Sequence, residues 1–246
     1  TNVVATWTPT ESVDCGLIMT STKPNTAVYI DWEGNGYLEQ YVLTDETYTI
    51  FKCASKAGAE ARLYSYSPSG DLGVFSLDGV KLSKIDVSKL TDLFALTVAN
   101  AGLTPDKVVW PESSLNELNV NGNNFTNLEF AKAYPELRML KVSKNRLNAI
   151  DLSGFDKLQS FTGDNNAAKS VKFGCPLLWD LSLSYNDLTE IDFTGAENLE
   201  QAVLSSNLLS SIDLSKTPKL NVLFIDSNCF TFQSLPKTSE VKYVYR

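Results

Sequence analysis

The stretch Leu178-Trp-Asp-Leu181-Ser-Leu183-Ser-Tyr-Asn186-Asp-Leu188 decides the fold of this chain. It follows the order Leu-x-x-Leu-x-Leu-x-x-Asn-x-Leu, in which a short strand leads into a turn. The same order, with some substitutions, begins again at positions 72, 93, 115, 137, 158, 199 and 220. Copies spaced 20 to 22 residues apart predict a repeat protein in which successive coils stack and bury one shared core.

A second apolar pair follows the strand in most copies, as in Ile150 and Leu152. A hydroxyl residue such as Ser153 often stands after it, and such residues favour turns or cap short helices. Each coil is therefore predicted to hold a strand, a turn, a second extended piece and a brief turn or 3-10 segment. We predict a mainly β fold over residues 71–246, a right-handed leucine-rich-repeat solenoid with a parallel concave sheet. About eight repeats are expected, with a truncated terminal strand at 241–246.

An asparagine closes the strand motif in most of the copies. Its amide both donates and accepts hydrogen bonds, so it can satisfy backbone groups where the chain turns out of the strand. Leaving such buried groups unpaired would cost about 1–3 kcal/mol each. The column is predicted to be structural, and to be absent from the first two coils, where Val80 and Ala101 take its place. Its members are Asn123, Asn145, Asn166, Asn186, Asn207 and Asn228.

Residues 1–70 have a different pattern. Short apolar runs lie at 27–30, 37–42, 48–51 and 61–66, with turn-forming residues between them. This alternation predicts a small antiparallel β domain that caps the N-terminal end of the solenoid.

The segment Asp31-Trp32-Glu33-Gly34-Asn35-Gly36 is predicted to be a hairpin turn supplied with glycines. The alternation of Asp31, Glu33 and Asn35 leaves a calcium loop open as an alternative. The segment lacks the twelve-residue ligand spacing of a helical calcium loop, so we predict no metal.

Composition argues against several classes of function. The 246-residue chain has a formal charge of −8, so counterion release would not favour a nucleic-acid partner. It has no histidine, phosphate loop or nucleophile elbow, so ordinary zinc sites, histidine-based triads and cofactors are not expected. No apolar run reaches the ~20 residues of a membrane helix. The chain begins at Thr1 with sequence typical of folded protein, so we expect a mature chain whose leader has been removed.

The cysteines Cys15, Cys53, Cys175 and Cys229 form no C-x-x-C pair. Four cysteines allow three full pairings. Only a Cys15–Cys53 disulfide is favoured, because both residues flank strand-like runs of the N-terminal region. The alternative is four reduced thiols, most of them buried.

The repeat consensus resembles that of bacterial leucine-rich-repeat surface proteins. The resemblance rests above all on Ile150-Asp-Leu-Ser153, Ile212-Asp-Leu-Ser215 and Leu181-Ser-Leu-Ser-Tyr-Asn186. It points to the internalin-like group and to the secreted or lipid-anchored repeat proteins of Bacteroidetes. It covers residues 72–246 closely and 1–70 loosely.

The Asp31–Gly36 segment resembles the Asp-Trp-Gly-Asp-Gly turn of the N-terminal β module in those proteins, with Glu33 and Asn35 replacing Gly and Asp. The resemblance implies an extracellular or cell-surface location, with or without a lipid anchor, and a role such as adhesion in contact with other molecules. It identifies no ligand and transfers no binding residue.

On a repeat strand, side chains two, four and six residues after the first leucine point away from the core. In the middle coils these side chains are small or hydroxylated, whereas apolar and aromatic residues cluster at the C-terminal end. Exposed clusters of this kind mark interaction sites, so we predict a contact surface there. The predicted members are Val203, Val222, Phe224, Tyr243 and Tyr245, with Tyr185 nearby at the strand exit. The alternative is that they cover the open end of the core or are covered by a neighbouring chain.

Acidic residues on the same face raise an enzymatic alternative, because Asp164 with Asp180 or Asp226 could act as a carboxylate pair. They are predicted to lie on a shallow open surface, so we expect solvated acids and no enzyme. We therefore predict a non-enzymatic cell-surface or secreted module whose concave face recognises an unknown protein or glycan. The alternative is a structural spacer or a weakly self-associating repeat unit without a separate ligand.

Overall fold

The computed structural model describes residues 1–12, 14–45, 47–54, 56–236 and 243–245, except for the side chains of 14–15, 52–54 and 243–245. The chain divides into two compact units, Thr1–Asn124 and Phe125–Arg246. Both are mainly β, and helix among the described residues is limited to the 3-10 segments Pro105–Lys107 and Glu129–Ala133. The predicted fold class is confirmed, while the predicted domain boundary near residue 70 stays a prediction.

The first unit contains eleven described strands. They are β1 Asn2–Pro9, β2 Asp14–Ser21, β3 Thr26–Asp31, β4 Glu39–Leu43, β5 Thr49–Ala54, β6 Ala61–Ser65, β7 Leu72–Asp78, β8 Leu82–Asp86, β9 Ala95–Ala99, β10 Val108–Val109 and β11 Glu117–Asn119. Strands β3 to β6 correspond to the four predicted apolar runs. Strands β1 and β2 were not among those runs.

These strands lie in two sheets. One sheet has the order β10-β8-β1-β6-β3-β4, and the other runs β5-β2-β7-β9-β11 within this unit. Strand β7, the first repeat strand, pairs antiparallel with β2 and parallel with β9. It therefore takes part in both the antiparallel region and the parallel repeat sheet. Strand β8, from the same coil, pairs antiparallel with β1. The antiparallel region and the first coils therefore share their sheets.

Trp7 fills the core of the first unit. Its side chain is fully buried, and its ring makes edge contacts with Trp32 and Phe75 at centroid distances of 5.9 and 6.1 Å. Leu17 and Met19 of β2 are fully buried as well. Because Trp7 lies on β1 and Phe75 on β7, this contact joins the two sheets.

The hairpin predicted at Asp31–Gly36 is confirmed, because β3 and β4 pair antiparallel on either side of it. The buried Asp31 carboxylate accepts hydrogen bonds from the backbone N–H groups of Asn35, at 3.1 Å, and Gly36, at 2.9 Å. The carboxylate thus holds the turn. Over the described part of the chain, no group of three or more acidic, histidine or cysteine residues is arranged to hold a metal ion.

The second unit contains eight described strands. They are β12 Met139–Lys141, β13 Ala149–Asp151, β14 Ser160–Thr162, β15 Ser170–Lys172, β16 Asp180–Ser182, β17 Gln201–Val203, β18 Val222–Phe224 and β19 Tyr243–Tyr245. One sheet has the order β12-β14-β16-β17-β18-β19, and its strands are parallel. Strands β13 and β15 pair in a separate two-stranded sheet.

The repeat leucines stack in the predicted register. Leu140 lies opposite Phe161, Phe161 opposite Leu181, Leu181 opposite Ala202, and Ala202 opposite Leu223. All five side chains are buried, which confirms the stacked core of the solenoid. Strand β19 lies within the terminal strand predicted at 241–246, and the other residues of that strand lie outside the described residues.

Each asparagine of the column ties its own coil to the preceding one. The Asn186 Oδ1 accepts the backbone N–H of Ala168 at 3.1 Å, while its Nδ2 donates to the carbonyls of Gly163 and Leu183, both at 3.0 Å. The other five asparagines likewise accept a backbone N–H of the preceding coil and donate to a carbonyl of their own. The structural role predicted for the column is confirmed.

In the first coils a backbone hydrogen bond takes the place of the asparagine column. Val80 and Ala101 are buried in place of the asparagine. The N–H of Leu82 donates to the carbonyl of Ala101 at 3.0 Å, whereas the equivalent N–H of Leu103 donates to Asn123. The predicted absence of the asparagine column from these coils is confirmed, and the N–H of Leu82 still has an acceptor.

Acidic residues of the second extended pieces hold the turns that follow. The Asp151 carboxylate accepts the backbone N–H of Ser153 at 2.9 Å, and Asp192 accepts that of Thr194 at 3.0 Å. The Ser153 hydroxyl also donates to Asp151 and is the main cause that lowers the pKa of this carboxyl. A lowered folded-state pKa means that this carboxylate stabilises the fold above its unfolded-state pKa. The contribution is lost as pH falls through the folded-state pKa.

The cysteines do not behave alike. Cys175 is free and buried, whereas Cys229 is free and exposed. The β2–β5 register sets Cys15 opposite Cys53. The side chains of this pair lie outside the described residues, so the disulfide stays a prediction.

Cys229 is expected to react with a maleimide in minutes at neutral pH, while Cys175 stays unmodified until the protein unfolds. Burial raises the pKa of Cys175 to about 11, so its thiolate fraction is small and the reagent cannot reach it. Peptide mapping by mass spectrometry, with and without denaturant, measures both residues in one sample. Equal labelling of the two cysteines in the native protein would contradict the packing around Cys175.

Candidate functional site

The middle of the outward face of the second unit is a network of hydroxyl and acidic side chains. The Ser160 hydroxyl donates to Asp180 at 2.7 Å, and the Gln201 amide donates to the same carboxylate at 3.2 Å. The Ser182 hydroxyl donates to Asp164 at 2.7 Å. Strands β14, β16 and β17 and the segment that follows β14 thus carry a hydrogen-bonded group of polar side chains, which we call the polar floor (Ser160, Asp164, Asp180, Ser182 and Gln201).

Asp226 accepts a bond from the Ser205 hydroxyl, so the three acidic residues considered for an enzymatic role each have a hydroxyl partner. Each donor comes from a neighbouring coil, which is within reach because adjacent parallel strands lie about 4.8 Å apart. These bonds give the carboxylates a structural role on this face.

The predicted apolar residues come together on β17, β18 and β19. One row is Val203, Phe224 and Tyr245, which lie opposite one another across the three strands. Val222 and Tyr243 are paired in the next row. Val203, Val222 and Phe224 are half-buried, and the side chains of the two tyrosines lie outside the described residues. The register therefore aligns the backbone positions of residues 21 positions apart.

Tyr185 stands apart from these rows, at the exit of strand β16. Its side chain is 61% exposed, and its backbone is left-handed with φ of 57°. A bulky residue rarely adopts this conformation, which costs about 1–2 kcal/mol. The strand β17 lies between Tyr185 and the strand of Phe224. The structure therefore groups five of the six predicted residues by backbone position and leaves Tyr185 one coil away.

Trp179 is an exposed aromatic residue that was not predicted for this face. It precedes β16, at the opposite end of the strand from Tyr185, and 46% of it is exposed. Only the positions two, four and six residues after the first leucine were considered as outward, and Trp179 follows its leucine directly. Comparing the residues at that position in all coils would have found it, because the neighbouring coils carry Gln159 and Glu200 there.

Comparisons with known proteins agree with the geometry at the level of the fold. No family model matches the chain, and no curated protein matches it. The functional domain of InlJ from Listeria monocytogenes is similar, with a TM-score of 0.52 and 19% identity over 77% of this chain and 46% of that one. The chain thus spans about half the length of the InlJ chain, and the similarity shows an internalin-like leucine-rich-repeat fold.

Two further solved structures have lower scores. An internalin C2 from Listeria monocytogenes has a TM-score of 0.48 and 19% identity over 72% of this chain and 80% of that one. The leucine-rich-repeat domain of APL1B has a TM-score of 0.47 and 21% identity over 65% of this chain and 57% of that one. Within the described ranges, no helix has both the length and the apolar character needed to span a membrane.

Proposed function

We propose that the chain is a non-enzymatic module at the cell surface or secreted from the cell, whose second unit binds a protein or glycan through its outward parallel-sheet face. The observation that supports this most is the apolar row of Val203, Phe224 and Tyr245 beside the polar floor. Apolar residues grouped on a surface lose contact with water when a partner covers them. The polar floor would then set the orientation of the partner through hydrogen bonds.

Self-association is the alternative function, because a second copy of the chain could cover the same rows. The half-buried Val222 and Phe224 lie two residues apart on β18 and so face the same side of the sheet, as such a contact requires. Sedimentation velocity separates the two functions. A monomer at tens of micromolar supports a separate ligand, and a dimer that Phe224→Ala dissociates supports self-association.

Phe224→Ala is expected to weaken binding to a partner at least tenfold while leaving the unfolding midpoint nearly unchanged. Aromatic residues at the centre of an interface commonly contribute more than about 1.4 kcal/mol, which corresponds to a factor of ten. The partner is first captured from a cell-surface protein extract or a glycan array, then purified and measured by biolayer interferometry.

Lys172→Ala is the control for this measurement. Lys172 is an exposed residue of β15, in the separate two-stranded sheet, so its removal should leave affinity unchanged. A large loss of stability in Phe224→Ala, without a specific loss of affinity, would show that the row only covers the core.

A further inference from the structure

The outer face of the six-stranded sheet in the first unit carries a row of tyrosines. Tyr29 on β3 lies directly opposite Tyr64 on β6, and both side chains face away from the core because Val28, Ile30 and Leu63 beside them are fully buried. Tyr66 follows β6 and is 68% exposed. The face therefore presents aromatic side chains to solvent.

Two of these rings hold each other in place. The Tyr29 and Tyr66 rings meet edge to face with centroids 5.8 Å apart, and their hydroxyls lie 3.3 Å apart. An exposed ring that is already fixed by a neighbour loses little conformational freedom when a ligand packs on it. Tyrosine also combines an apolar ring with a polar hydroxyl, which suits a ligand with both kinds of surface.

A cavity of about 460 Å³ lies on the same face, and its lining residues include none of the three tyrosines. Arg62 is two residues from Tyr64 on β6, about 7 Å along the strand, and it pairs with Thr6 of β1 at the edge of the cavity. The polar lining residues are Thr6, Glu60, Lys84, Asp86, Asp106 and Lys107. Its volume lies within the range of cavities that bind small ligands or parts of larger ones.

Four of the five charged residues in this cavity form ion pairs, and the fifth, Asp86, accepts hydrogen bonds from Ser88. Lys84 Nζ lies 2.7 Å from Glu60 Oε2, and Lys107 Nζ lies 3.1 Å from Asp106 Oδ2. The hydrogen bond from Lys84 lowers the pKa of Glu60, so Glu60 is ionised at neutral pH. A strongly charged ligand would have to displace an existing ion pair. A hydroxyl group can instead donate to a carboxylate and accept from a lysine at the same time.

We propose that this face, which we call the tyrosine platform (Tyr29, Tyr64 and Tyr66 with the adjoining cavity), binds a neutral oligosaccharide. The apolar C–H face of a sugar ring packs on the tyrosines, and its hydroxyls bond to the paired charges of the cavity. Nucleic acid does not fit, because Glu60, Asp86 and Asp106 would repel its phosphates. This site is separate from the parallel-sheet face of the second unit, so the chain carries two binding surfaces.

Affinity electrophoresis of the full chain tests this proposal. The gels contain one polysaccharide each, either neutral (mannan, β-glucan, galactan or xylan) or anionic (heparin or polygalacturonate). We expect at least one neutral polysaccharide to retard the chain, and Tyr66→Ala to weaken that retardation at least tenfold. Tyr66→Phe, which keeps the ring, should keep most of the affinity.

Tyr48→Ala is the matched control. Tyr48 is 69% exposed and lies next to β5, in the other sheet, so its loss should leave retardation unchanged. Retardation that Phe224→Ala weakens and Tyr66→Ala leaves unchanged would place the polysaccharide on the second unit and would also overturn this proposal. The proposal is overturned if none of the neutral polysaccharides retards the chain, if only the anionic ones do, or if Tyr48→Ala weakens retardation as much as Tyr66→Ala.

Discussion

Asn186→Ala is expected to lower the free energy of unfolding by about 3 kcal/mol or more, a large effect for one polar side chain. The substitution removes the acceptor of the Ala168 N–H and a donor to the carbonyls of Gly163 and Leu183. Each buried polar group left unpaired costs about 1–3 kcal/mol. Urea unfolding followed by far-ultraviolet circular dichroism measures the loss.

Asn198→Ala provides the comparison. Its amide also bonds across coils, donating to the Pro176 carbonyl at 2.7 Å, but this bond lies at the surface, where water can replace it. We expect a loss of about 1 kcal/mol or less. Equal losses in the two variants would mean that the inner column contributes no more than a surface bond.

Trp7→Ala is expected to destabilise the first unit by about 3–5 kcal/mol, the range for removing a large buried aromatic side chain. Its ring is completely enclosed and touches Trp32 and Phe75, so the substitution leaves a cavity between the two sheets. The unfolding of this unit, followed by near-ultraviolet circular dichroism, should shift to lower denaturant concentration.

Trp179→Ala removes the same side chain from a position where 46% of it is exposed. Because much of this ring already contacts water, we expect a loss of about 1 kcal/mol or less. If both tryptophan variants unfolded at the same denaturant concentration, the packing described around Trp7 would be wrong.

The register of the second unit was predictable because each coil pairs with its neighbour in the chain. A spacing of 20 to 22 residues, read from the sequence, places Leu181 beside Ala202 and Ala202 beside Leu223 without any knowledge of long-range pairing. The rows of apolar residues that include Phe224 follow from the same spacing. Local repetition thus specifies both the core and the predicted contact surface.

The tyrosine platform was not predictable in this way. Tyr29 and Tyr64 are 35 positions apart, and they meet only because β6 lies between β1 and β3. Antiparallel pairings between distant strands depend on packing across the sheet rather than on a local pattern. The same reason explains why β8, which follows the first repeat strand, lies in a sheet with β1.

The residue with a left-handed backbone at each strand exit affects which positions of such a chain can mutate. In the second unit Lys144, Tyr185, Ser206 and Ser227 all hold φ of 56° or 57° directly before an asparagine of the column. Their strain is about 1–2 kcal/mol each, yet their side chains do not enter the leucine stack. One site per coil is thus open to mutation without any redesign of the interior. The rim of the repeat can therefore diversify in evolution, one coil at a time, while the scaffold beneath it stays the same.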